Sequence, residues 1–117
     1  MRLVADHKYT KVEAMDERGP GNANHVYHIE QAMSGIPTLA TTLIEFQNGP
    51  IKKAGLNGIT NEDLLAIVID RLSGFQMGEY KCRENAIALI RIEEAYMWLL
   101  RRTANREARG VEGTNVK

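Results

Sequence analysis

Cysteine is almost missing from this chain: Cys82 stands alone among 117 residues. One thiol closes no internal disulfide and builds no multi-cysteine zinc site, which fits a reducing compartment, and its place predicts a half-buried residue at a helix start. An excess of either charge is missing too, since 15 Lys and Arg balance 15 Asp and Glu. A chain with zero formal net charge has no global pull toward nucleic acid or an anionic membrane, so any anion site has to be local. No unbroken apolar stretch exceeds Leu64 to Ile69, far short of the roughly 20 residues a membrane-spanning helix needs. Met1 to Lys11 interleaves Arg2, Asp6, His7 and Lys8 with its apolar residues, unlike a secretory signal. Together these absences predict a cytoplasmic protein that binds neither DNA nor RNA and touches no membrane.

Catalytic groups are equally sparse. The three histidines, His7, His25 and His28, all lie in the N-terminal half. His25 and His28, three apart in a predicted strand, point to opposite faces, and no HExxH pair accompanies them. Ser34 and Ser73 lack a GxSxG context, and Cys82 lacks any accompanying motif. Neither a nucleophile with its base nor a metal or cofactor site can be assembled, so the expectation is a binding protein rather than an enzyme.

What is present divides at the Gly/Asn-rich segment from Gln47 to Gly58. Before it, His25 to Ala32 and Thr38 to Phe46 are rich in β-branched and aromatic residues and predict two strands. Met33-Ser34-Gly35-Ile36-Pro37 supplies the turn of a hairpin between them. Leu3 to Ala14 adds one more strand, joined by a link over Asp16 to Asn24 that holds Gly19, Pro20 and Gly21. After the loop, Thr60 and Asp63 form a capping-box pattern that opens a helix ending near Gln76 to Met77. Its apolar face is expected to carry Leu64, Leu65, Ile67, Val68, Leu72 and Phe75. A second helix runs from about Cys82 to Ala108, with Ala86, Leu89, Ile90, Tyr96, Met97, Leu100 and Thr103 on one side and Gly110 ending it. The predicted fold is α+β: a small N-terminal antiparallel sheet (1–57, with its Gly/Asn loop), then an antiparallel helical hairpin with a C-terminal tail (58–117), together one compact domain.

The second helix is too long for the first to cover, about 40 Å against about 25 Å at 1.5 Å per residue. Ile87, Ile92, Trp98 and Leu99 widen its apolar surface beyond one stripe. Self-association is the economical way to bury that surface, and it creates pockets between copies.

Three places can hold an anion or a base. In the loop Gly49 to Gly58 no GKS, GKT or GxGxxG occurs, so neither nucleotide fingerprint is met, yet Gly and Asn (Asn57 among them) let backbone N–H groups converge, and Lys52 and Lys53 add charge. At the end of the long helix Arg101, Arg102, Arg106 and Arg109 are opposed only by Glu107. Arg102, Arg106 and Arg109 share one face at i, i+4, i+7 spacing, which suits bidentate capture of phosphate, while cations at a helix C-terminus also simply offset its dipole. Phe75 and Asn85 bracket the connection between the helices, where a ring can stack on a base and an amide can read its edge; a core Phe and a helix-start Asn are the plainer account of the same pair.

Phe46-Gln47-Asn48-Gly49-Pro50, Gly55-Leu56-Asn57-Gly58-Ile59-Thr60-Asn61-Glu62, Cys82-Arg83-Glu84-Asn85-Ala86, Arg101-Arg102-Thr103 and Arg109-Gly110-Val111-Glu112-Gly113-Thr114 follow one another in this order. In this they resemble the phage Thoeris anti-defence (anti-Thoeris) proteins, which share a hairpin domain with the anti-CBASS cyclic-nucleotide sponges. The resemblance covers roughly two thirds of the chain, most closely Gly58 to Thr114. It implies a sponge that sequesters, without degrading it, a cyclic ADP-ribose isomer (glycocyclic ADP-ribose) made by bacterial TIR-domain enzymes, in the cytoplasm of the infected host. It further implies homo-oligomers from dimer to hexamer, and in some members separate sites for cyclic di- or trinucleotides. By the same resemblance Phe75 and Asn85 match the ligand-contacting aromatic and amide, Arg102 and Arg106 match phosphate contacts, and the segment holding Gly113 and Thr114 faces a symmetry axis. The competing readings are a sponge mainly for CBASS cyclic di- or trinucleotides and, in another class, a helical protein–protein adaptor.

Overall fold

The computed structural model describes residues 1–33 and 36–117, with side chains described outside 32–39. The chain is α+β and forms two compact units, Met1–Ile59 and Thr60–Lys117.

The first unit is an antiparallel meander in the order β1 (Arg2–Asp6), β2 (Thr10–Ala14), β3 (Val26–Met33) and β4 (Ile36–Glu45). The two strands expected from 25–32 and 38–46 are present and paired, with Tyr27 opposite Ile44 and Ile29 opposite Thr42. Of the turn expected over Met33 to Pro37, Met33 closes β3 and Ile36 and Pro37 open β4, while Ser34 and Gly35 lie outside the described residues. Leu3 to Ala14 is two strands rather than the single one expected. The polar run Asp6-His7-Lys8 breaks the alternation, and the His7 N–H donates to the Thr10 carbonyl at 2.8 Å to reverse the chain.

Alternation along the strands sorts the residues by face. Cross-strand partners put Val12, Ala14, Tyr27, Ile29 and Ile44 on one side and Lys11, Glu13, His28 and Glu30 on the other. Ala14 is fully buried. The link after β2 contains a short turn of 3-10 helix at Pro20–Asn22 and is held by Asp16, whose carboxylate accepts the backbone N–H groups of His25 (3.0 Å) and Val26 (3.2 Å). Desolvation pulls the Asp16 pKa up, but these bonds and one from the Asn24 amide outweigh it and hold the carboxyl below its ordinary range.

The Gly/Asn loop contains one helical turn, α1 (Ile51–Ala54), which the sequence reading leaves as loop. The loop returns to the sheet at Ile59, which bridges Phe46: the Gln47 N–H donates to the Ile59 carbonyl (2.8 Å) and the Ile59 N–H to the Glu45 carbonyl (2.9 Å). Phe46 in turn meets Tyr27 edge-on at 5.7 Å.

The second unit is a hairpin of α2 (Asn61–Gln76) packed on α3 (Arg83–Ala108). The capping box forms as expected: Asp63 N–H donates to Thr60 Oγ1 at 3.4 Å and Thr60 N–H to Asp63 Oδ2 at 2.8 Å. Gly110, at φ 72°, ends α3 as predicted.

The seam, however, is rotated from the expected faces. Half-buried positions recur at alternating spacings of three and four: Leu65, Ile69, Leu72 and Gln76 on α2, and Asn85, Leu89, Ile92, Tyr96, Leu99, Thr103 and Arg106 on α3. Ile67, Val68 and Phe75 on α2, and Ile90, Met97 and Leu100 on α3, are exposed instead. A 3.5-residue repeat, the signature of two helices packing side by side, selects Ile92 and Leu99 over Ile90 and Met97. Neither helix has a fully buried residue, and Ile87, Ile90, Met97 and Trp98 form a second apolar surface on α3, opposite the seam.

Candidate functional site

At the connection between the helices, Gln76 closes the turn with both ends of its amide. Nε2 donates to the Cys82 carbonyl at 3.2 Å and Oε1 accepts the Cys82 N–H at 3.1 Å. Cys82 is exposed rather than half-buried, because it stands outside the helix as its N-cap, with Sγ accepting the Asn85 N–H at 3.4 Å. This clamp holds the end of α2 beside the start of α3. Phe75 keeps 37% of its surface open, with the Arg71 guanidinium 5.4 Å from the ring centroid on one face. Asn85 is half-buried, and among the described residues its side-chain amide has no hydrogen-bond partner. An open aromatic face and an unspent amide at one end of a hairpin are the groups that stacking and edge recognition of a base require.

At the other end of α3, Trp98, Arg101, Arg102, Asn105, Arg106, Arg109 and Lys117 line an open groove of about 500 Å³. Its residues come from successive turns of one helix face and from the tail. The Arg101 guanidinium lies over the Trp98 ring at 5.3 Å. Arg102 is exposed, while Arg109, the C-cap residue, donates to the Lys117 carbonyl. Arg106 differs from both, since its side chain is only 11% exposed. Its Nε donates to Glu112 Oε2 (3.1 Å), Nη1 to the Val116 carbonyl (2.7 Å), and Nη2 to the Val111 and Thr114 carbonyls (both 3.1 Å).

Gly113 (φ 78°) turns the tail, and Thr114 Oγ1 donates to the Val111 carbonyl while accepting the Val116 N–H at 3.3 Å. The shared helix face of Arg102, Arg106 and Arg109 conceals this division, because it is the folded tail that takes four bonds from Arg106 and one from Arg109. Trp98, Asn105 and Lys117 escape the sequence reading as groove residues, although the i, i+3, i+4, i+7 series from Trp98 through Arg101, Arg102 and Asn105 is a signal for them.

The two ends are far apart. Asn85 and Arg102 are seventeen residues apart on one continuous helix, about 25 Å at 1.5 Å per residue, so one hairpin cannot present both to the same small ligand.

Within the first unit the loop spends its amides on itself. Asn57 Oδ1 accepts the Asn48 N–H (2.8 Å), its Nδ2 donates to the Asn48 carbonyl (2.7 Å), and its own N–H donates to Gln47 Oε1 (3.0 Å). Gln47 Nε2 bridges the Gly49 and Gly55 carbonyls at 3.1 and 2.7 Å. Lys52 and Lys53 stay exposed on α1.

Comparison with known proteins matches residues 40–104 to the Acb2/Tad1 hairpin domain, which takes in the second half of β4, the loop, α2 and most of α3. The chain belongs to this family. It is also similar to Thoeris anti-defense 1 of Bacillus phage SBSphiJ7, at 58% identity over 74 residues, or 63% of this chain and 52% of the relative. The chain thus spans about half the length of that relative. In this Acb2/Tad1 hairpin protein the family match ends within the last turns of α3, so Arg106, Arg109 and the tail they hold lie beyond it.

Proposed function

We propose that this Acb2/Tad1 hairpin protein is a phage anti-defence sponge that captures glycocyclic ADP-ribose and withholds it from the effector of a Thoeris system in the infected cell. The observation that carries the reading is the pairing, within one hairpin of that family, of a base-reading end (Phe75, Asn85) with a cationic end (Arg102, Arg109). Adenine stacks on the open face of Phe75 and Asn85 reads its edge, while guanidinium groups take the phosphates. Because the two ends of α3 are about 25 Å apart, one ligand uses both when the base-reading end of one copy meets the cationic end of another. The exposed Ile87, Ile90, Met97 and Trp98 on α3 supply an apolar surface for such an assembly. Gly113 and Thr114 lie in the tail beside the cationic end, and in the first unit Lys52 is an anion contact in its own right on α1. Asn57 shapes the loop that carries Lys52.

Sequestration suits a site with no catalytic constellation, since binding that holds ground state and transition state equally yields no rate gain once the site is saturated. Isothermal titration with glycocyclic ADP-ribose, followed by heating the complex and recovering the ligand, tests the reading. Tight binding with intact ligand recovered supports the sponge. Silence with this ligand but heat with cyclic di- or trinucleotides moves the site to the CBASS class, and silence with all of them puts a helical adaptor first. A mixing experiment tests the shared site: Phe75→Ala and Arg102→Glu each abolish binding alone, and oligomers mixed from the two variants regain part of it. Mixed oligomers that bind nothing would refute a site built from two copies.

A further inference from the structure

Three cations that look equivalent in sequence have different chemical standing once the tail is folded. Arg106 has five N–H donors and gives four of them to residues 111–116. Its charge is matched by Glu112 at 3.1 Å, in a side chain only 11% exposed. A guanidinium so committed has little left for an incoming phosphate, and to meet one directly it would have to strand four partners. The tail it holds brings Lys117 to the groove, next to Arg109, which reaches the Lys117 carbonyl.

We propose that Arg106 is a positioning residue rather than an anion contact: paired with Glu112, it folds segment 111–117 back along the end of α3 and so sets Lys117 and Arg109 beside Arg101 and Arg102 for the ligand's phosphates. The inference rests on the anion-capturing reading above and assigns the work within it. Arg106 supplies order, and the charge that the ligand meets comes from its neighbours. Glu112 thereby gains an unexpected role, since an acidic side chain beside an anion groove favours the anion by holding the tail.

The sign of one substitution separates this from direct contact. Were Arg106 a phosphate contact, Glu112→Ala would free it and remove a repelling charge, and binding would tighten. Under the positioning role Glu112→Ala releases the tail and binding weakens. Arg106→Lys makes the same division, because an ammonium keeps the charge but cannot make the forked bonds to three carbonyls and a carboxylate.

The experiment titrates the full chain and both variants with glycocyclic ADP-ribose and, separately, with inorganic pyrophosphate, following Trp98 fluorescence. Amide exchange at Val111 and Val116 is recorded without ligand. Expected are affinities weaker by about tenfold or more (~1.4 kcal/mol) in both variants, fast exchange at the two tail amides, and α2 amides as protected as in the wild type. Tighter binding by Glu112→Ala, undiminished binding by Arg106→Lys, or unchanged tail exchange in the variants would each overturn the proposal. Wild-type protein that binds pyrophosphate but not the cyclic ligand defeats the proposed function while leaving this test in force. Wild-type protein that binds neither removes the groove as an anion site, and the positioning role with it.

Discussion

Gly58 packs its backbone against Phe46 and Gln47, and replacing it by alanine makes a demand that can be worked out. A Cβ built there would stand 2.4 Å from the Phe46 carbonyl carbon, 2.5 Å from its oxygen and 2.7 Å from the Gln47 nitrogen. All three are backbone atoms, so no side-chain rotation relieves the overlap. Ordinary carbon contacts are about 3.5–4.0 Å, so the two segments must part by roughly 1 Å. That displacement carries the Gln47 N–H to Ile59 bond (2.8 Å) and the Ile59 N–H to Glu45 bond (2.9 Å) past useful length.

Two backbone hydrogen bonds at about 1 kcal/mol each, with some of the freed groups left poorly solvated, put the cost at about 2–3 kcal/mol. For a unit of this size that is a fall of roughly 10–20 °C in melting temperature. The assay is thermal denaturation by circular dichroism, with amide exchange at Gln47 and Ile59 to localise the effect. Gly74→Ala is the control. It lies inside α2, and a Cβ there meets nothing within 4 Å, so alanine should stabilise the helix by about 0.5–1 kcal/mol. A Gly58→Ala protein that melts with the wild type and keeps both amides protected would refute the reasoning.

Thr60→Ala removes the side-chain half of the capping box and should cost about 1 kcal/mol, read from chemical denaturation, with Thr60→Ser close to wild type; equal losses in both variants would show that the hydroxyl is not the stabilising group. The Asp16 pKa is lowered on folding, so its stabilisation is present above the unfolded value near pH 4 and disappears as the pH falls through the lower folded value. Asp16→Asn should therefore melt below the wild type at pH 7, with the gap closing in acid; a gap that does not change with pH would contradict the assigned hydrogen bonds.

Local chemistry made much of the architecture legible before any coordinates. Thr60 and Asp63 name the start of α2, because a capping box is satisfied within four residues. Gly110 names the end of α3, because few residues besides glycine take a positive φ there cheaply. The β-rich stretches before Gln47 and the helical period after Thr60 separate sheet from hairpin, and the order of short motifs points to the family. Each of these signals is decided by neighbours in sequence.

What only the tertiary structure decided are matters in which distant groups compete for the same atom or surface. Ile90 and Met97 fit a helical stripe as well as Ile92 and Leu99 do, and only packing against α2, with its 3.5-residue repeat, chose between them. The break at Asp6 to Tyr9 splits a segment whose composition suits one strand, since pairing in register demands a reversal. Asn57 reads as a polar loop residue open to a ligand until the return of the chain to Asn48 and Gln47 consumes its amide. Arg102, Arg106 and Arg109 share one helix face by spacing alone, yet of the three it is Arg106 whose donors go to Glu112 and three tail carbonyls. Helical period places side chains on a face, whereas hydrogen-bond capacity is finite, and which partner claims it depends on where the rest of the chain comes to lie.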